Sequence, residues 1–147
     1  AVTAEPYALW IVQQLREAFL EESAPRYVIL DRDGKYGDVV PAALKNMGVK
    51  IVRTAYRAPW QNPFAERWVL SCRREILDHV VVLNEAHLHR LLSDYVAYYH
   101  EDRCHLGLEK DTPCVRAVTP KPSSKAHVAA FPRVGGLHHL YTWQIAA

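Results

Sequence analysis

The chain has 147 residues and a mass of 16.8 kDa, the size of one ordinary domain. Half of its residues are hydrophobic and 23% are charged, which excludes wholesale disorder, and no apolar run approaches the roughly 18 residues of a membrane span. The N-terminal stretch lacks a signal-peptide pattern, and three cysteines without a Cys-x-x-Cys pair indicate reduced thiols in a cytoplasmic protein.

The positive charge is unevenly distributed along the chain. The formal net charge is only +2, but residues 51–74 carry five arginines against a single acid, Glu66. After Asp111 there is no acid at all. This distribution fits an anionic partner such as a nucleic acid, and charge alone leaves open a solvated basic face.

Helices and strands alternate through the first half of the predicted chain. Apolar spacing predicts an amphipathic helix over 7–20 and a short buried strand over 26–31. A polar turn over 31–37 follows, then a helix from Asp38 to Met47 and a strand over 49–53. Strands separated by helices predict parallel pairing and an α/β fold.

Two longer helices are predicted next, and then a tail. Asn62 and Pro63 suit the first positions of a helix that runs to Leu77 or Asp78. A second helix begins at Asn84 and continues to about His100. The region from Thr112 onward is rich in proline and predicts little regular structure.

Two acids occupy positions where an α/β enzyme places catalytic groups. Asp31 ends a predicted strand, and Glu66 lies in the first turns of a helix, where its charge suits the helix dipole. Arg73 lies two turns beyond Glu66 on the same helical stripe, whereas Phe64, Trp68 and Cys72 are predicted to face the core. Two carboxylates and Mg²⁺ are typical of phosphoryl transfer, but taken alone Asp31 is better explained as a turn residue and Glu66 as a solvated acid at a helix start.

Three ordered motifs resemble those of retroviral-type integrases and bacterial insertion-sequence transposases. Asp31-Arg-Asp-Gly-Lys-Tyr36 is similar to the segment around the family's second catalytic aspartate. Ala58-Pro-Trp-Gln-Asn-Pro-Phe-Ala-Glu-Arg67 resembles the segment around the third acid, with Glu66 at the catalytic position. Between Asp31 and Glu66 lie 34 residues, which departs by one from the family spacing. Residues 98–113 resemble a transposase pattern that ends in Thr-Pro.

The resemblance implies a ribonuclease H-like fold and metal-dependent DNA strand cleavage and transfer. Asp31 and Glu66 would be the catalytic and metal-binding acids for two Mg²⁺ or Mn²⁺ ions. DNA, as element ends and target, would be the partner, and a homo-oligomer without membrane association would act at the bacterial nucleoid. The candidate DNA contacts are Arg67, Arg73, Arg74 and Trp60.

One part of the family pattern is missing. A site of this type has three acids, and no aspartate precedes Asp31 in this chain. We therefore expect a partial catalytic core over 1–118, without its N-terminal strands and inactive by itself, and a basic tail over 119–147. The alternatives are a non-catalytic DNA-binding or assembly module and a different ribonuclease H-like nuclease.

Several other residues have competing interpretations. Asp33 is an alternative second acid, but Asp31 keeps the better offset to Tyr36 and spacing to Glu66. Arg103 and His105 are expected to fix the end of the last helix, because the spacing of His100, Cys104 and His105 is not that of a structural zinc site. Trp68 is assigned to packing, and the pair His138 and His139 has no assignable role.

Overall fold

A computed structural model describes residues 1–19 and 23–145 of the chain. They form two compact units, Ala1–Leu70 and Ser71–Ala147. The helices are α1 (Ala8–Ala18), α2 (Val39–Asn46), α3 (Pro63–Glu75) and α4 (Glu85–Glu101), and the strands are β1 (Tyr27–Leu30), β2 (Lys50–Arg53), β3 (Ala126–Arg133) and β4 (His138–Ile145). Leu20, the predicted last residue of the first helix, lies outside the described residues. No helix in the described part of the chain is long and apolar enough to cross a membrane.

The first unit is a small α/β layer, as the alternation of elements predicts. Strands β1 and β2 pair in parallel, with Val28 opposite Ile51 and Leu30 opposite Arg53. One face of this sheet packs against α1 and α2 around a buried cluster. The cluster consists of Val12, Leu30, Val40, Leu44 and Val49. The fold class predicted from the sequence is therefore confirmed at the level of mixed helices and a parallel strand pair.

The prediction that the first strand is buried is wrong for half of its residues. Tyr27 is 48% exposed and Ile29 is 43% exposed, and their neighbour Val52 on β2 is 47% exposed. Alternate side chains of a strand point to opposite faces of the sheet. The face that carries Val28 and Leu30 meets the helices, so these three apolar side chains remain in contact with solvent.

Helix α2 begins and ends close to its predicted limits. Asp38 occupies the N-cap position, although its side chain makes no capping hydrogen bond. Gly48 follows the helix with a φ of +73°, a left-handed conformation that glycine adopts without steric cost. Val40 and Leu44 lie one helical turn apart on the same face of α2, and both side chains are fully buried.

Helix α3 is shorter than predicted, and its apolar face is only partly buried. It ends at Glu75, and a 3₁₀ turn over Leu77–His79 follows because the chain bends to bury Ile76 completely. Cys72 is buried and Trp68 is half-buried, as expected of a packing face. The assignment of Phe64 to the core is wrong, since its side chain is 89% exposed.

Helix α4 organises the second unit. Its N-cap residue Asn84 accepts a hydrogen bond from the backbone N–H of His87 at 2.8 Å, which fixes its start where the sequence predicts it. Tyr95 in the middle of this helix is fully buried and is the largest such side chain among the described residues. Its ring lies within 6.3 Å of the rings of Tyr98 and Tyr99.

The prediction of an irregular tail from Thr112 onward is wrong for its last part. Strands β3 and β4 form an antiparallel hairpin in which Ala126 pairs with Ile145 and Arg133 with His138. The connection is a turn over Val134–Gly136 in which Gly135 and Gly136 have φ values of +64° and +92°. Only glycine adopts such angles readily, so this pair allows the chain to reverse. The separate domain boundary predicted at residue 118 stays a prediction.

Candidate active site

The two predicted catalytic acids line the same cleft in the first unit. This cleft has a volume of about 380 Å³, and Asp31, Asp33 and Glu66 all contribute to its wall. Asp31 follows β1, and Glu66 comes from the first turn of α3. The carboxyl end of a parallel strand and the start of a helix thus bring together residues that are separated by 34 positions.

Local structure fixes the backbone at Asp31. Leu30 is buried against the helices, and the backbone N–H of Thr54 donates to its carbonyl oxygen at 3.0 Å, which aligns the ends of the two strands. Asp31 Oδ1 accepts a hydrogen bond from the backbone N–H of Asp33 at 3.1 Å. Such side chain–backbone bonds are typical of an aspartate that begins a turn. The carboxylate of Asp31 keeps its other oxygen at the cleft.

Glu66 is placed by the start of α3. Pro63 is the first helical residue, where its missing N–H costs nothing, and Glu66 donates its backbone N–H to the carbonyl oxygen of Asn62 at 3.1 Å. The Glu66 side chain is exposed, and within the described residues no ion pair or hydrogen bond to its carboxylate is present. A rigid helix therefore presents an uncompensated acid at the cleft.

Asp33 is engaged in a different way from Asp31. Its Oδ1 accepts from the backbone N–H of Lys35 at 2.9 Å, and its Oδ2 forms an ion pair with Lys35 Nζ at 3.0 Å. The backbone bond and then the side-chain bond from Lys35 lower the pKa of Asp33. This carboxylate caps the short 3₁₀ helix Gly34–Tyr36, which is a structural role. The arrangement favours Asp31 over Asp33 as the functional acid, and the choice between them stays a prediction.

Tyr36 packs next to the same acid. Its side chain is half-buried against the core of the first unit, which fits packing better than an exposed stacking surface. Burial raises the pKa of Tyr36, and the neighbouring charge of Asp31 and a hydrogen bond to that carboxylate raise it further. The raised pKa keeps the Tyr36 phenol protonated beside Asp31.

The turn after β1 and the loop between β2 and α3 each supply a basic group that the sequence analysis missed. Arg32 and Arg57 both line the cleft. Arg32 Nε donates to the carbonyl oxygen of Thr54 at 3.0 Å, and Gln61 Oε1 accepts from the backbone N–H of Ala55 at 2.6 Å, which ties the two ends of the loop together. Arg57 has a φ of +54°, a conformation that a non-glycine residue adopts only when its surroundings enforce it. No spacing rule identifies a loop arginine of this kind.

The residues predicted to contact DNA are all exposed, and none of them lines this cleft. Trp60 is 72% exposed and Arg67 is exposed, and neither contributes to the cleft wall. Arg73 and Arg74 are exposed in the second unit, where Arg73 Nε approaches Asp78 Oδ1 at 3.5 Å. Their DNA-binding role stays a prediction.

The donor chemistry of the cleft fits a hard divalent cation in part. Asp31 and Glu66 offer oxygen ligands in contact with water, which suits an ion such as Mg²⁺ that keeps several of its waters. Within the described residues no group of three or more His, Cys, Asp and Glu side chains is close enough to hold a metal. The first unit thus provides two carboxylates for such an ion rather than a complete cage.

The second unit contains a different kind of acid. Glu75 accepts hydrogen bonds from Arg103 Nη2 at 2.6 Å, Arg103 Nε at 2.9 Å and the Tyr95 hydroxyl at 3.0 Å. Burial alone raises the pKa of Glu75, but the bonds from Arg103 and Tyr95 outweigh it, so the pKa is lowered. His105 Nε2 donates to the carbonyl oxygen of Tyr99 at 3.3 Å. The predicted structural role of Arg103 and His105 at the end of α4 is confirmed.

The structure also gives His138 a role that sequence patterns did not. Its Nε2 lies 2.8 Å from the carbonyl oxygen of Glu75, and its ring stacks on Tyr98 with centroids 4.6 Å apart. His138 therefore joins the hairpin to α3 and α4 within the second unit. His139, by contrast, is exposed next to Tyr141. The three thiols at Cys72, Cys104 and Cys114 are unpaired.

Comparison with protein families gives one match, to the integrase core domain, over residues 47–113. This segment contains Glu66, Arg67, Arg73, Arg74 and Arg103, whereas Asp31 lies before it. Comparison with curated proteins and with solved structures gives no match. The match, just under half of the chain, covers two of the three motifs on which the resemblance rests. The match supports the resemblance of this segment to integrase catalytic cores.

Proposed function

We propose that this chain takes part in DNA integration or transposition as an integrase-type strand-transfer protein with a ribonuclease H-like core. One observation carries the proposal: Asp31 and Glu66, with 34 residues between them, line a single cleft, and Glu66 lies in the segment that matches the integrase core domain. The likeness of the motifs to bacterial insertion-sequence transposases supports an origin in a mobile element and an action at the nucleoid.

In this proposal Asp31 and Glu66 hold the catalytic metal, Mg²⁺ or Mn²⁺. When bound, a divalent cation there supplies Lewis-acid activation of water or of a 3′-hydroxyl at the scissile phosphodiester. Asp31 is oriented by the backbone N–H of Asp33, and Glu66 by the rigid first turn of α3. Both carboxylates then act as preset ligands that do not need to reorganise during the reaction.

Positive groups near the acids are assigned to the DNA backbone. Arg32 and Arg57 line the cleft itself and suit a phosphate beside the metal. The exposed groups Arg67, Arg73, Arg74 and Trp60 are assigned to more distant DNA contacts, which position the substrate without reading its sequence. Self-association is proposed as well, since the exposed apolar side chains of the β1–β2 sheet are a suitable surface for it.

The test is cleavage of a labelled duplex that carries an element end, with Mg²⁺ or Mn²⁺. The assay is run on the chain and on a longer chain that also carries the residues encoded upstream of residue 1. We expect slow or no cleavage by the chain, because two carboxylates do not complete a two-metal site, and cleavage by a longer chain that adds a third acid. In that longer chain Glu66→Gln is expected to abolish cleavage and to leave DNA binding intact, and Glu85→Gln, a first-turn acid of α4, is the matched control.

A second candidate function is a non-catalytic DNA-binding or assembly module. The observation that favours it is the number of acids: among the described residues that line the cleft, Asp31 and Glu66 are the two acids available as ligands, since Asp33 is paired with Lys35. Under this alternative, no extension of the chain supports metal-dependent cleavage, and DNA binding is insensitive to Mg²⁺. Cleavage that persists in the extended Glu66→Gln variant would contradict the proposed role of Glu66.

A further inference from the structure

Another cleft lies in the second unit and is lined by none of the acids proposed as metal ligands. It has a volume of about 780 Å³, within the range of about 300–1,000 Å³ that is typical of ligand-binding clefts. One wall is the β3–β4 hairpin, with Tyr141 and Trp143, and the other is the segment 108–119, with Lys110 and Arg116. None of the functional residues assigned above lies in it.

The hairpin presents an open row of aromatic rings on one face. His139, Tyr141 and Trp143 alternate along β4 and therefore point to the same side of the strand. Their cross-strand partners are Pro132, Ala130 and Val128, which are too short to cover the rings. Tyr141, opposite Ala130, is 62% exposed, so a flat apolar ring faces solvent with no side chain of the hairpin over it.

Positive groups are held beside these rings by specific contacts. Trp143 Nε1 donates to the carbonyl oxygen of Thr119 at 2.9 Å, which fastens the preceding segment to the hairpin. Lys121 Nζ lies 5.7 Å from the centre of the Trp143 ring, a cation–π distance that keeps this ammonium group next to the aromatic row. Arg116 lines the cleft, and its backbone N–H donates to Asp111 Oδ1 at 3.0 Å.

The opposite wall has a strained backbone. Glu109, Lys110 and Val115 all have positive φ values, +54°, +70° and +56°. A non-glycine residue keeps such a conformation only where its surroundings fix it. Clusters of this kind are typical of ligand-binding loops, and this one places Lys110 at the cleft.

Two of the three acids of the cleft, Asp102 and Asp111, are already engaged by groups of the chain itself. Asp102 forms an ion pair with Arg133 Nε at 2.6 Å, and Asp111 accepts hydrogen bonds from two backbone N–H groups, those of Thr112 and Arg116. Glu109 is the third acid of the lining. A carboxylate at this position suits the exocyclic amino group of a base, which is a hydrogen-bond donor. A nucleotide offers both the anion and the donor that this mixed lining requires.

We propose that this hairpin cleft binds an unpaired stretch of DNA, in which a base stacks on the Tyr141 ring. Arg116, Lys110 and Lys121 contact the adjacent phosphates. An aromatic ring beside cations is the usual platform for single-stranded nucleic acid, because every base has a π face. In a duplex both faces of each base are already stacked, so the ring gains no partner. The choice of DNA as the ligand rests on the proposed function. The site itself does not include Asp31 or Glu66.

The test measures binding of the full chain to a fluorescent single strand of about 15 nucleotides, long enough to fill such a site, and to the matching duplex, both in EDTA. Tyr141→Ala is expected to weaken single-strand binding by roughly tenfold, in line with about 1–3 kcal/mol for one stacked base. Tyr141→Phe keeps the ring and is expected to bind like the original chain. Tyr7→Ala, which removes an equally exposed tyrosine from the first unit, is the matched control and is expected to have no effect.

A second readout separates stacking from a change of fold. A 2-aminopurine in the strand loses fluorescence when an aromatic ring stacks on it, and this quenching is expected to disappear in Tyr141→Ala and to persist in Arg116→Ala. Arg116→Ala is expected instead to reduce the salt dependence of binding by about 0.7 in the log–log slope, the value for one phosphate contact on a single strand.

Three results would overturn the proposal. The first is a Tyr141→Ala affinity within twofold of the original chain. The second is equal weakening by Tyr7→Ala. The third is Tyr141-dependent self-association in sedimentation without single-strand binding, which would identify a second copy as the occupant. Because all of these measurements are made without metal, loss of the cleavage activity proposed for Asp31 and Glu66 leaves the outcome unaffected.

Discussion

Two glutamates of one helix, Glu66 and Glu75, are treated in opposite ways by the two units. Glu66 lies in the first turn of α3, exposed at a cleft of the first unit and without a described partner for its carboxylate. Glu75 ends the same helix and is enclosed by Arg103 and Tyr95 in the second unit. A compensated acid stabilises the fold, whereas an uncompensated acid is available for a ligand. The comparison assigns Glu66 to ligand binding and Glu75 to the stability of the second unit.

The largest effect on stability is expected at Glu75. Glu75→Gln removes the negative charge and leaves the half-buried Arg103 guanidinium without its partner, so the free energy of unfolding is expected to fall by about 2–3 kcal/mol. The measurement is urea denaturation followed by circular dichroism. Glu85→Gln, an exposed first-turn acid of α4, is the control. A loss below about 0.5 kcal/mol, the usual range of surface changes, would show that the Glu75 network is dispensable.

The reverse result is expected for Glu66 in metal binding. Glu66→Gln and Asp31→Asn are each expected to weaken Mn²⁺ binding by at least about tenfold, or ~1.4 kcal/mol, with little change in unfolding free energy. Glu75→Gln is expected to leave Mn²⁺ affinity unchanged. Electron paramagnetic resonance of free Mn²⁺ measures the affinity, and Asp38→Asn is the control, since Asp38 is an exposed aspartate that makes no capping bond. Equal Mn²⁺ affinity in the Glu66 and Asp38 variants would remove the basis for the metal site.

Most of the first unit follows from local sequence patterns, whereas the hairpin does not. Pro63 at a helix start and Gly48 after a helix act through their own backbone, so the sequence alone predicts these limits. The start of α4 in the second unit is equally local, because the Asn84 side chain accepts from the backbone N–H of His87. The hairpin contains Pro132, a residue that argues against a strand, and the signal that could have revealed it is the Gly135-Gly136 turn between two apolar runs.

The site shows the same division between local and distant information. Asp31 and Glu66 were predicted because each follows from the end of a strand or the start of a helix. Arg57 was missed because its position at the cleft depends on a loop conformation with positive φ. His138 was missed because its partners, Glu75 and Tyr98, are distant in the sequence. Long-range partners of this kind leave no periodic signal.

Acid pH is expected to weaken the second unit through Glu75. The pKa of Glu75 is lowered in the folded chain from its ordinary value of 4.5, so its contribution is fully present above that value and is lost as pH falls below it. Thermal melts between pH 7 and pH 3 are expected to show a steeper loss of stability in the original chain than in Glu75→Gln. Parallel pH profiles of the two chains would contradict a lowered pKa at this carboxyl.

The smallest effect on stability is expected at Arg73. Its exposed ion pair with Asp78 contrasts with the half-buried pair of Arg103 and Glu75. Arg73 and Asp78 are 73% and 52% exposed with 3.5 Å between their charged atoms, a type of pair that contributes about 0–1 kcal/mol. Arg73→Ala is therefore expected to leave the melting temperature nearly unchanged. It is expected to lower duplex DNA affinity and to reduce the salt slope of binding by about one, as the loss of one phosphate contact does.

Two controls separate this contact from a general loss of positive charge. Arg16→Ala removes an exposed arginine from the last turn of α1 and is expected to change neither quantity. Asp78→Ala releases Arg73 from its acidic neighbour, so duplex affinity is expected to stay the same or to rise. If Asp78→Ala and Arg73→Ala both lower the melting temperature and leave DNA affinity unchanged, the pair is structural. Arg73 would then stabilise the fold, as Arg103 does, and the proposed DNA contact of α3 at Arg73 would be lost.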